Sequence, residues 1–255
     1  MRTIKKVASH IFIDGFGGMT QGLFATLIIG TMIQQIGLLI GGSTGNVIYL
    51  LGKAAAALTS AGIGVGVAVK YGESPLVTVS AAVAAMVGGY AGKITGGTFF
   101  VDGNAVLAGP GEPLGAFIAA FAGITCGHLV SGKTKVDIIV TPVITIGAGS
   151  VVGLLVGPPI SQMMTGLGSI INWATEQRPF IMGIVVSVVM GMVLTLPISS
   201  AALGIILNLS GLAAGAATIG CCCNMVGFAV ASYRENKFGG LVAQGLGTCL
   251  LYTSP

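Results

Sequence analysis

The sequence predicts an all-α polytopic membrane protein, with about seven to nine transmembrane helices and re-entrant or broken segments between them. Three observations predict it. Charged residues make up only 7% of the 255, against roughly 25% in a soluble domain, so too little charge exists to coat a water-facing surface. Hydrophobic residues reach 54% and the mean hydropathy is +0.98. Glycine occurs 43 times. Glycine weakens helices in water but lets helix backbones approach closely in lipid, and no Gly-X-Y period points to collagen.

The spans follow in order. The basic lead-in "MRTIKKVASHIFIDGF" has no cleavage pattern of a signal peptide and reads as a cytoplasmic start. Apolar runs long enough to enter a bilayer lie at Phe16–Ile40, Val47–Val69, Pro75–Gly92, Leu114–Val130, Ile138–Val156, Pro179–Ile198 and Leu212–Ala231, and a further one begins near Phe238. Arg2, Lys5 and Lys6, then Lys70, then Lys133 and Lys135 fall on one side if the N-terminus is cytoplasmic. Arg234 and Lys237 join that side only with one extra crossing, in Val156–Pro179 or in Ile198–Leu212. Both intervals read as too broken for a plain helix. Thr95–Gly115, rich in glycine and holding two prolines, is the third irregular stretch. Irregular backbone at membrane depth lines a cavity or lies buried in protein, as in transporters. Residues 1–248 read as a single permease domain. "CLLYTSP", Cys249–Pro255, looks like a translated sequencing-adapter tail.

Several function classes are excluded by pattern. The net charge of +4 forms no basic stripe with aromatics, so nucleic acid is not an expected partner. There is no phosphate loop, His-Glu-x-x-His or nucleophile elbow, and no catalytic residue, cofactor or metal set stands out. The five cysteines, three of them consecutive, read as small hydrophobes.

Polar groups set in apolar sequence are the candidates for binding, because a charge at membrane depth must be paired or solvated. Glu176 and Arg178 are the only charges between Asp137 and Arg234. With Asn172, Thr175 and Gln177 for hydroxyls and Trp173 for an apolar sugar face, Glu176 heads the substrate-binding candidates. Arg178 could pair with it or bind phosphate. The same segment also reads as an interfacial loop. Asp102, Asn104 and Glu112, in "VDGNAVLAGPGEP", read either as a solvated turn or as a polar lip of the pathway. His128 is a proton or sugar-hydroxyl partner, or an interfacial side chain. Asp137 reads as neutralising Lys133 or Lys135.

Three stretches carry a family resemblance: "VSGKTKVDIIVTPVIT" (Val130–Thr145), "GPPISQMMTGLGSIINWATEQRPFIMGIVVS" (Gly157–Ser187) and "MGMVLTLPISSAALGI" (Met190–Ile205). Together they resemble the membrane IIC component of the bacterial sugar phosphotransferase system, in its shorter branch, also described as toxin-regulator membrane proteins. The resemblance covers most of Gly15 to Gly247. It implies a homodimeric inner-membrane permease for a sugar. Phosphoryl groups would come from a separate IIB protein in trans, itself charged by IIA. Better-known members carry a Gly-Ile-Thr-Glu segment whose Glu binds sugar; "ATEQ", Ala174–Gln177, approximates it. An ion-coupled transporter of another small solute and a membrane sensor without transport are the alternatives.

Overall fold

The computed structural model describes residues 14–101, 104–107, 109–193, 204, 207 and 209–245. They fall into two compact units, Met1–Gln162 and Met163–Pro255.

The first unit opens with α1, Phe16–Ile40, which contains one wider π turn at Phe24–Ile28. Gly41 and Gly42, at φ +66° and +65°, reverse the chain into α2, Gly42–Ala57, and α3, Thr59–Lys70, follows a break at Leu58. The bend between α2 and α3 is 53°, so the expected second span is broken in its middle. Glycine pairs seam α1 to the returning arm: Gly18 with Gly66, Gly22 with Gly62, Gly30 with Gly52, Gly37 with Gly45. A Cβ built on Gly18 would sit 2.6 Å from the Gly66 carbonyl oxygen, and one on Gly37 2.7 Å from that of Gly45. Only glycine permits this approach, which dispersion rather than the hydrophobic effect rewards in lipid. Between Gly22–Gly62 and Gly30–Gly52, eight residues of α1 face ten of the other arm, and the break at Leu58 takes up the difference.

A second antiparallel pair lies against α3. Ser74 caps α4, Pro75–Gly89, accepting the Val77 N–H at 3.4 Å, with Pro75 at a first-turn position that needs no donor. A short α5, Ala91–Thr95, and a two-residue ribbon, β1 Phe100–Val101 with β2 Asn104–Ala105, lead to α6, Pro113–Val130. The core between these helices is built of small side chains, among them Ala81, Ala84, Ala85, Ala116, Ala119 and Ala120, with Ile63, Val67 and Val77. Helix α7 starts at Asp137 and lays one side on α6 through an i+4 row: Thr145 meets Gly123 and Gly127, Gly149 meets Ala119, Gly153 meets Gly88 and Ala119. Asp137 does local work, its Oδ1 accepting from the Gly132 N–H at 3.0 Å and the Thr141 hydroxyl at 2.6 Å.

In the second unit α8, Pro179–Val193, pairs with α9, Gly211–Ala231, around Val186, Met190 and Ala217. Gly220 lies on the Ser187 backbone, and the Asn224 amide donates to the Gly191 carbonyl. α10, Tyr233–Gly245, breaks at Lys237.

One expectation changes. Val156–Pro179 is not broken: the chain stays helical from Asp137 to Gln177, with Pro142, Pro158 and Pro159 inside. Proline removes single hydrogen bonds, and transmembrane helices tolerate this through neighbouring helices, hydroxyl side chains and local adjustments. The all-α membrane class is met, and the expected seven to nine spans are met in part. Among the described residues four helices are long and apolar enough to cross a membrane (Phe16–Ile40, Pro113–Val130, Asp137–Met163 and Gly211–Ala231), or five with the bent α2–α3 pair. α4, at 15 residues, reaches only about 22 Å against a hydrocarbon core of roughly 30 Å, and α8 is described as far as Val193. Most of the Ile198–Leu212 interval and the whole of Cys249–Pro255 lie outside the described residues.

Candidate functional site

The turn Gly109–Pro110–Gly111–Glu112 begins from two backbone facts. Gly109 and Gly111 take φ +83° and +78°, a region closed to most side chains, and Pro110 between them has no N–H. The turn's carbonyls therefore project sideways, where buried hydroxyls meet them. The Ser60 hydroxyl, at the start of α3, donates to the Pro110 carbonyl at 2.9 Å. The Tyr90 hydroxyl, at the end of α4, reaches the Gly109 carbonyl, and the Ala57 carbonyl at 3.2 Å. The Glu112 N–H donates to the Gly89 carbonyl at 2.7 Å. Phe99 packs on the Tyr90 ring at 5.3 Å. Ser60 and Tyr90 are buried.

Glu112 sits at the N-terminus of α6. The Leu114 N–H reaches its carboxylate, yet its Oε1 is buried without a hydrogen-bond partner. A buried carboxylate oxygen left unpaired is costly, and a functional role is one of the reasons such a group is kept. The turn also has a definite level in the bundle. α3 and α4 span about 18 and 22 Å between it and the Lys70–Ser74 turn, while α2 continues about 24 Å beyond the break.

The opposite end of these helices is ionic. Glu73, its side chain only 8% exposed, meets His128 Nδ1 at 3.0 Å, and the Ser74 and Ser131 hydroxyls lie 3.0 Å apart. Tyr71, beyond the end of α3, has its phenol pushed up to about 12, first by burial and then by the Asp14 carboxylate. His128 and Glu112 stand about 24 Å apart along α6, so they are not one site.

The other residues singled out by sequence fall as follows. Asn104 is exposed in β2, and Asp102 lies outside the described residues. In the second unit the end of α7 presents Glu176, Gln177, Arg178 and Trp173 to the outside, Trp173 at 63% exposure. Thr175 is buried, and its hydroxyl is spent on the Ile171 carbonyl at 2.7 Å. Asn172 Oδ1 accepts the Ser210 N–H at 3.1 Å. Sequence reasoning missed Ser60 and Tyr90, which lie 50 and 19 residues from their partners and carry no motif. It named Glu112 but did not link it to Gly109 at the other end of the same turn.

Packed apolar helices, four or five of them long and apolar enough to cross a bilayer among the described residues, define a multi-pass membrane protein. The family described as "Phosphotransferase system, EIIC" matches residues 13–254, and the chain belongs to it: it is a membrane component of a sugar-transporting phosphotransferase system. No curated protein and no solved structure matches the chain.

Proposed function

We propose that the chain is a bacterial inner-membrane sugar permease that binds its substrate at the Glu112 turn. A separate IIB protein, charged by IIA, then phosphorylates the sugar. The observation that carries this reading is the buried, unpartnered Oε1 of Glu112. A carboxylate accepts two sugar hydroxyls, and a desolvated one discriminates strongly against ligands that lack them. The level of the turn, between about 18–22 Å of helix on one side and about 24 Å on the other, supports a place well inside the bilayer, reached by a re-entrant pair α4 and α6. Catalysis here is positioning: the sugar hydroxyl oxygen attacks the phosphorus held by IIB, and the bond from IIB to phosphorus breaks.

The turns carrying Lys70 and Lys133 are tied together by the His128–Glu73 and Ser74–Ser131 contacts. Basic loops gathered at one end support a cytoplasmic location for that end, and for the N-terminus. Gln35, Asn46 and Lys53 are exposed on the α1–α2 hairpin, and such groups are costly against lipid. That supports a protein neighbour there, a second copy in a homodimer.

A second site reading places the sugar at Trp173 and Glu176, favoured by an exposed aromatic beside a carboxylate and an amide at one helix end. The test offers radiolabelled sugars to vesicles bearing the chain, with and without phosphorylated IIB inside. Accumulation of sugar phosphate only with IIB is expected. Uptake that follows a proton or sodium gradient instead would make it a secondary transporter, and no uptake with altered gene expression on deletion would make it a sensor.

A further inference from the structure

We propose that Ser60 and Tyr90 are positioning residues for Glu112: their hydroxyls latch the Gly109–Glu112 turn onto the break between α2 and α3, and release of the latch opens the carboxylate to substrate. The consequence for substrate rests on the reading of Glu112 given above; the latch itself does not.

The turn has no ladder of its own. Its Gly109 and Pro110 carbonyls meet the hydroxyls of two buried side chains from two other helices. Such carbonyls need partners. These partners are single bonds of modest net strength, so the turn lifts without unwinding a helix. The two hydroxyls also sit where movement is cheapest. Ser60 is one residue past the start of α3, directly after the bend at Leu58, and Tyr90 closes α4. The Tyr90 hydroxyl has one proton and faces two acceptors, the carbonyls of Gly109 and Ala57. It holds the turn or the end of α2, and shifting the proton from one to the other exchanges the turn's anchor for the helix's. Gly111 fits against the Ser60 hydroxyl only because it lacks a Cβ, so the latched position is tightly defined. Closed, the latch keeps Glu112 Oε1 from solvent; lifted, it frees that oxygen for a hydroxyl ligand.

The test needs no substrate. In the full chain, with the five native cysteines replaced by alanine, Glu112→Cys is labelled by a membrane-impermeant maleimide in detergent. Adding Tyr90→Phe, which keeps the ring on Phe99, should raise the labelling rate by about tenfold, and Ser60→Ala should raise it in the same direction. Thr145→Val is the control: it removes an equally buried hydroxyl that serves only the Thr141 carbonyl of its own helix. It should leave the rate unchanged. If Tyr90→Phe does not give a monodisperse protein, Ser60→Ala decides. An unchanged rate in the folded latch variants, or an equal rise with Thr145→Val, overturns the latch. Wild-type sugar binding by Glu112→Gln would remove Glu112 from the site and leave the latch result standing.

Discussion

Glu112 and Glu176 are both acidic residues in glycine-rich or apolar sequence, each close to a proline, and the chain treats them in opposite ways. Glu176 lies in the last turn of a long helix, with its side chain outside. Glu112 lies in a turn held by two hydroxyls and a backbone bond from two helices, with one oxygen buried and unpaired. Local composition does not separate them. What separates them is whether neighbouring elements close over the carboxylate, and closure is what makes a carboxylate costly and therefore selective.

The contrast breaks first at the glycines. Gly111→Ala should cost about 2–5 kcal/mol, from a left-handed φ and from overlap with the Ser60 hydroxyl. Gly166→Ala, where nothing lies within 4 Å, should be neutral or stabilising by up to about 1 kcal/mol. Melting points in detergent compare them, and equal effects would mean that the turn is not packed as described. Next comes binding. Glu112→Gln should weaken sugar affinity by roughly 10- to 100-fold, the range for a hydrogen bond to a charged group, while Glu176→Gln leaves it nearly unchanged. The reverse result would move the site to the Trp173–Arg178 segment. A cysteine at position 173 should react with an impermeant maleimide much faster than one at 112, and similar rates would erase the distinction.

The smallest effect lies at the ionic end. The Tyr71 phenol titrates near 12 when folded and near 10 when unfolded. Between those values the unfolded chain has lost the proton that the folded chain keeps, so stability falls as pH rises from about 10 to 12. Tyr71→Phe should flatten that slope; an unaltered slope would mean the ring is not enclosed beside Asp14.

Much of this was legible in residue order. Helices α1, α6 and α9 begin and end within a residue or two of the apolar runs, because hydropathy and proline placement decide both ends locally. The interval after Val156 was misleading for the reason that a Gly-Pro-Pro run breaks helices in water, whereas α7 carries it through. The break at Leu58 gave no signal, since "AAAALTSAG" has neither proline nor charge; it arises where α1 demands close glycine contact on both sides of one residue.

The sequence alone determined the solvent. A chain with 7% charge and 43 glycines can only pack backbone to backbone in an apolar medium. Tertiary structure decided which carboxylate was enclosed, because burial depends on partners that lie 19 and 50 residues from the groups they hold, and no local pattern records which hydroxyl a distant carbonyl will meet.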